Sequence, residues 1–320
     1  MSQRTELHDH TELESQYLEC FLDTKCVPQN LFYLLGGARS FAHYRNQDLN
    51  HIAWEHEAEF LRTALSYKAG EPWAFVSLGC GNARPGAQLL RHLVGDRPGW
   101  HYFGVDSSAS MLNLAEENLA SLPCPAHAVL ADFSKPDFSA SLERLLASYE
   151  QRLYAMMGGT FVNLDQVWIA DLLHELVPEG DYLYLDIVPH YTSDDANVSL
   201  RNRLARLPHN LERFFYDLLD RLGVSDECGE VVSDERADAE LNTIPYTFSY
   251  EVHTPMVLTY AQGSLNLEPG DRLELLTIRA YDVDRLKAFL AEHAFEFQSS
   301  YIPETPGLAH LWERLLFRRV

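Results

Sequence analysis

The spacing of apolar residues divides the chain into four stretches. Polar and acidic residues fill Met1 to about Gln16, which reads as disordered or loosely docked. From Tyr17 to about Leu65, Leu and Phe recur at three- and four-residue spacing, predicting helices that Gly36-Gly37 breaks into two or three short pieces. At Trp73 the rhythm changes to strand–helix alternation, the signature of a parallel sheet. Strands are expected at Trp73–Leu78, Tyr102–Asp106, Ala126–Asp132, Leu153–Met157 and Tyr182–Val188. Helices are expected around Gly86–Val94, Ser108–Ala120, Leu142–Tyr149 and Asp165–Leu176. Ser107-Ser108 suits an N-cap, and Gly180 a helix stop before the fifth strand. After Pro189 the alternation ends. A helix is expected over Ser199–Leu222, a solvated acidic loop over Ser225–Glu240, and strands within Tyr246–Tyr260 and over Arg272–Tyr281. A helix at Val283–His293 and strands at Phe295–Tyr301 and Leu311–Arg318 would then complete the sheet begun at Trp73.

The chemistry concentrates where the predicted strands end. Val76-Ser77-Leu78-Gly79-Cys80-Gly81-Asn82 reads as a buried strand, a tight glycine turn and a helix N-terminus, a place where a ligand approaches the backbone closely. Twenty-five positions after Gly81, the second strand ends in Asp106, where an α/β nucleotide-binding fold grips ribose hydroxyls. Together the two favour nucleotide binding over packing. The third strand ends in Asp132-Phe133; Asp132 is placed either to accept from an adenine amino group or to cap the next segment, with Phe133 facing the ring. The fourth runs into Gly158-Gly159-Thr160-Phe161-Val162-Asn163. Asn163 offers a donor and an acceptor to a substrate amino or carboxylate group, or an N-cap to the helix near Asp165.

Composition narrows the class. The 320 residues carry a net charge of −22, which opposes nucleic acid or an anionic membrane as partner. Five scattered cysteines without a CxxC pair read as reduced, cytoplasmic thiols. The N-terminus is not a signal peptide, and no apolar run approaches the roughly 20 residues of a membrane span. Cys80 has no visible activating histidine, so packing is its expected role rather than nucleophilic catalysis. His51, Glu55 and His56 lack HExxH spacing, so no metal is expected. Trp168 and Leu172, with the apolar positions around them, are expected to be core rather than a cofactor box.

These motifs resemble class I S-adenosylmethionine (SAM) methyltransferases, in particular the family of the histidine Nα-methyltransferase of ergothioneine biosynthesis and the related dimethylallyltryptophan N-methyltransferases. Gly158 to Leu164 is similar to that family's Gly-Ser-Thr-Ile-Gly-Asn-Leu motif. Phe32-Tyr33-Leu34-Leu35-Gly36-Gly37-Ala38-Arg39-Ser40-Phe41 fits its Phe-Tyr-x-x-x-Gly-x-x-x-Phe pattern. The resemblance implies an α/β fold: a Rossmann-like SAM domain, mostly parallel with an antiparallel last strand, over 60–195 and 286–320, plus a smaller α+β substrate domain from 1–59 and 196–285. It implies SAM contacts from Gly79, Cys80, Gly81, Asp106, Asp132, Phe133, Gly158 and Thr160, acceptor positioning by Tyr33 and Asn163, no metal, a small-molecule substrate and a homodimer as an open option. The departures are Ser77, where an acidic residue is usual before the glycine turn; His51-Ile52, aligned with a Tyr-Tyr pair; and Leu276-Thr277-Ile278, near the substrate-reading Glu-x-Ser. The altered pocket makes histidine an unexpected acceptor. Two reactions follow as expectations: N-methyl transfer to another amino-acid-like substrate, or cyclisation of SAM itself to azetidine-2-carboxylate with release of methylthioadenosine. In the second, Tyr33 or Tyr191 would face the sulfonium. A non-enzymatic SAM sensor is a third option.

Overall fold

The computed structural model describes residues 3–7, 10–33, 37–39, 52–65, 71–95, 99–190, 207–235, 243–303 and 312–320. Its first elements are β1 (Gln3–Glu6), α1 (His10–Thr24), α2 (Gln29–Phe32), α3 (Trp54–Ala64), β2 (Trp73–Leu78), α4 (Arg84–Val94), β3 (Trp100–Asp106) and α5 (Ala109–Leu119). Next come β4 (Ala126–Leu130), α6 (Phe138–Leu146), β5 (Gln151–Met156), α7 (Thr160–Asn163), α8 (Gln166–Leu176), β6 (Tyr182–His190) and α9 (Leu207–Arg221). The rest are β7 (Gly229–Glu235), β8 (Thr243–Val252), β9 (Met256–Tyr260), β10 (Gly263–Leu267), β11 (Arg272–Asp282), α10 (Val283–Glu292), β12 (Phe295–Tyr301) and β13 (Glu313–Arg319). They group into two compact units: Met1–His8, Asp48–Pro189 and Tyr281–Val320 form one, and Asp9–Gln47 with His190–Ala280 the other. Among the described residues no helix is long and apolar enough to cross a membrane.

The first unit is a Rossmann-like α/β sheet in the order β1-β4-β3-β2-β5-β6-β13-β12. Strands β1 to β6 run parallel, and β13 is antiparallel to both β6 and β12. The expected antiparallel closing strand is thus present. Every residue of β2 is buried, as a strand covered on both faces requires. Its register sets Trp73 against Trp100 and Phe75 against Tyr102, with ring centroids 5.1 and 5.7 Å apart. Such cross-strand aromatic pairs add to burial and hold the register. Helix α4 buries Ala87, Leu89, Leu90, Leu93 and Val94 in the same core. Each leucine there contributes about 1.5–3 kcal/mol of burial. From β2 the chain winds outward to β3 and β4, then crosses back to β5, so the topological switch lies at the carboxyl end of β2.

The second unit packs Leu18, Phe21 and Leu31 with Phe215, Phe248, Tyr250 and Leu273. Strands β7 and β8 pair antiparallel, and β9–β10 is a hairpin.

Four local expectations are corrected. Residues 3–6, expected to be disordered or loosely docked, form β1 beside β4, and α1 begins at His10. Strand β1 is held through its backbone and leaves no apolar periodicity to read. The expected acidic loop contains β7, whose register runs from Gly229↔Val252 to Glu235↔Tyr246. Of its charges, Asp234 pairs with Arg272, which also pairs with Glu251 on β8. Helix α8 ends at Leu176 as expected, but its stop is Val177, which precedes Pro178 and leaves the helical region, and not Gly180. Gly180, at φ +92°, makes the turn into β6. The strand β10 was not anticipated.

Candidate active site

Four consecutive loops leave the carboxyl ends of the first unit's parallel strands. After β2, Gly79 and Gly81 stand at φ +64° and +55°. The Cys80 sulfur is turned back onto β3, within 3.0 Å of where a Cβ on Gly104 would sit. Neither glycine has room for a side chain: a Cβ on Gly79 would meet Thr160 at 2.6 Å and one on Gly81 the Met111 methyl at 3.1 Å.

Asp106 ends β3 and braces the turn. Its Oδ2 accepts from the Gly81 amide at 2.8 Å and its Oδ1 from the Ser108 amide at 2.9 Å. Burial pushes its carboxyl up to about 6, against the pull of those two amides. Ser108 caps α5 by accepting from the Met111 amide at 3.2 Å, as the Ser-Ser pair predicts. Beyond β4, Asp132 is 3% exposed, and its Oδ1 accepts from the Ser134 amide and hydroxyl at 2.9 and 2.7 Å. The capping option for Asp132 is therefore realised in part. Phe133 lies with its ring centroid 6.1 Å from Trp168.

Beyond β5, Gly158 and Gly159 stand at φ +74° and +97°. Thr160 reaches back across the switch point, its hydroxyl donating to the Gly79 carbonyl at 3.2 Å. The first and fourth loops thus touch. Asn163 ends α7 half-buried. It does not cap α8: Asp165 does, accepting from the Trp168 amide at 2.9 Å.

Gly79, Cys80, Gly81, Asp106, Asp132, Phe133, Gly158, Thr160 and Asn163 therefore share one edge of the first unit. Tyr33 belongs to the second unit, where it follows α2 and packs on the apolar cluster. His51 and Tyr191 lie outside the described residues. Among the described residues no cluster of His, Cys, Asp or Glu is placed to hold a metal.

Trp168 corrects an expectation. It is 38% exposed rather than core, and Leu172 is only half-buried. The signal was present: Ile169, Ala170, Leu173 and Leu176 form the buried stripe of α8, and Trp168 falls off it. Asp186, whose Oδ2 accepts from the Gly158 amide at 2.9 Å, left no comparable trace in the sequence.

Burial, and then the neighbouring Asp106 carboxylate, push the Cys80 thiol well above its ordinary range. A thiol held protonated is no nucleophile. Cys80→Ala is accordingly expected to keep most of its turnover, and a fall to below about a hundredth, the size of a lost general-base contribution, would contradict this.

Residues 13–185 match the model of a family described as histidine-specific methyltransferase, SAM-dependent. No curated protein sequence matches the chain. Among solved structures it is similar to a SAM-dependent methyltransferase from Methanosarcina mazei, at 15% identity over 81% of this chain and 97% of that one, with a TM-score of 0.43. It is also similar to the 1,6-didemethyltoxoflavin-N1-methyltransferase of Burkholderia thailandensis (12% identity, 98% and 92% covered, TM-score 0.45). A third is the glycopeptide N-methyltransferase MtfA bound to S-adenosylhomocysteine (12% identity, 82% and 87% covered, TM-score 0.38).

Proposed function

The chain belongs to the histidine-specific, SAM-dependent methyltransferase family, with SAM as cofactor, and from that premise we infer that it N-methylates a small amino-acid-like acceptor other than histidine. In this reading the first unit, Met1–His8, Asp48–Pro189 and Tyr281–Val320, holds SAM, and the second, Asp9–Gln47 with His190–Ala280, holds the acceptor. The glycine backbone from Gly79 to Gly81 and the Gly158–Thr160 turn hold the methionine part. Asp106 takes the ribose hydroxyls, Asp132 the adenine amino group, and Phe133 with Trp168 the adenine ring.

SAM supplies a methyl group made electrophilic by its sulfonium. The protein's task is to align a neutral amine with that carbon and to exclude water. Asn163 suits the acceptor end of the site, because its amide is not used as a helix cap and both donates and accepts. Tyr33 is assigned to the acceptor by its place in the Phe-Tyr-x-x-x-Gly-x-x-x-Phe pattern.

One observation carries the choice of acceptor. Leu276 and Ile278, on one face of β11, both pack against the second unit's apolar cluster. Neither offers a hydrogen bond where the resembled family reads imidazole with Glu and Ser. A buried imidazole nitrogen left unsatisfied costs about 1–3 kcal/mol, roughly ten-fold in productive binding per lost partner. The test is a panel of the common amino acids with methyl-labelled SAM. Label should enter an amino acid other than histidine, and efficient histidine trimethylation would overturn the assignment.

A further inference from the structure

A charged cluster lies inside the first unit, behind the Gly158 turn, and none of the assignments above uses it. Glu57 on α3 is 0% exposed, and Asp186 on β6 and Arg314 on β13 are each 2% exposed. Arg314 Nη1 donates to Asp186 Oδ1, and Arg314 Nε donates to Glu57 Oε1 at 3.3 Å. The Tyr184 hydroxyl donates to the same Glu57 oxygen at 2.9 Å. Asp186 spends its other oxygen, Oδ2, on the backbone amide of Gly158 at 2.9 Å.

Stability alone does not explain this arrangement. Removing ions from water costs several kcal/mol each, and well-packed apolar residues commonly replace such groups at no loss. The distinctive feature is where the cluster ends. Gly158 and Gly159 occupy left-handed conformations with no side chain to hold them, and the turn they make carries Thr160 onto Gly79 and leads into Asn163.

We propose that the Glu57–Arg314–Asp186 cluster is a positioning device for SAM, fixing the Gly158–Thr160 turn against the Gly79 turn through the Gly158 amide. The proposal rests on the reading of these two turns as the SAM site. Arg314 orients the Asp186 carboxylate by its charge and geometry, and Glu57 and Tyr184 orient Arg314. Burial pushes the Glu57 carboxyl up, and its Oε2 has no hydrogen-bond partner among the described residues. Asp186 and Arg314 are positioning residues; neither is assigned contact with SAM.

The test is calorimetric titration of the full chain with SAM, below each variant's melting temperature. Asp186→Asn keeps an acceptor but loses the charge, and is expected to bind SAM about ten-fold more weakly. Arg314→Met should do the same, and Arg314→Lys should recover most of the loss. The Gly158 amide proton, bonded to a carboxylate in the wild type, should move upfield in the ligand-free NMR spectrum of Asp186→Asn. If Arg314→Met does not fold, Asp186→Asn decides alone. Asp186→Asn with wild-type SAM affinity would overturn the proposal, because a structural role alone lowers the melting temperature and not the affinity of the folded protein. Asp106→Ala run alongside separates the two levels: if it too binds normally, the SAM-site reading fails, and if it binds weakly, only the cluster's role does.

Discussion

Asp106→Ala is expected to weaken SAM binding by roughly ten- to a hundred-fold, the equivalent of losing about 1.5–3 kcal/mol of charge-assisted hydrogen bonding. The carboxylate already braces the Gly81 and Ser108 amides, so the substitution also loosens the turn that faces the cofactor. The same group sets a pH dependence. In the free protein burial holds its carboxyl at about 6. Under the proposed ribose assignment, hydroxyls would donate to the ionised form, so SAM binding would favour loss of the proton. Affinity should be full above pH 6 and fall as pH drops through it, by up to about ten-fold for each unit below. Asp106→Asn should flatten that profile. Calorimetry across this range checks both statements, and unchanged affinity in Asp106→Ala would remove the ribose assignment.

Gly79→Ala should be at least as damaging. A Cβ at this position would stand 2.6 Å from Thr160 Cγ2 and 2.9 Å from its hydroxyl, with φ at +64°. The left-handed backbone costs about 1–2 kcal/mol for a residue with a Cβ. Overpacking adds about 1–3 kcal/mol. A lower melting temperature and loss of measurable SAM binding are expected together. Adding Thr160→Ala removes the collision but not the backbone term, so the double variant should recover stability only in part. A single Gly79→Ala protein as stable and as tight-binding as wild type would mean that the two turns do not touch as described.

The contrast between what was and was not legible in the chain has physical causes. Strand β2 was read to the residue, because a strand buried on both faces is a continuous apolar run between polar ends. The ends of β3 and β5 were read nearly as well, since Asp106 and the Gly158-Gly159 pair punctuate them. Strand β1 was missed because its pairing with β4 uses only backbone groups. Strand β7 was missed because acidic side chains, neutralised in part by Arg272 from a distant stretch, look like a solvated loop until the partner strand is known. Trp168 was misjudged because its size suggested core while its helical phase did not. The cluster behind Gly158 joins residues 57, 186 and 314, and a long-range ion pair leaves no periodic mark.

Methyl transfer, rather than reaction of SAM with itself, is the chemistry proposed for this site. Chromatography of the nucleoside product tests it most directly, with the protein incubated with SAM alone and then with the amino-acid panel. S-adenosylhomocysteine should accumulate only when an acceptor amine is supplied. Methylthioadenosine and azetidine-2-carboxylate formed from SAM alone would contradict it.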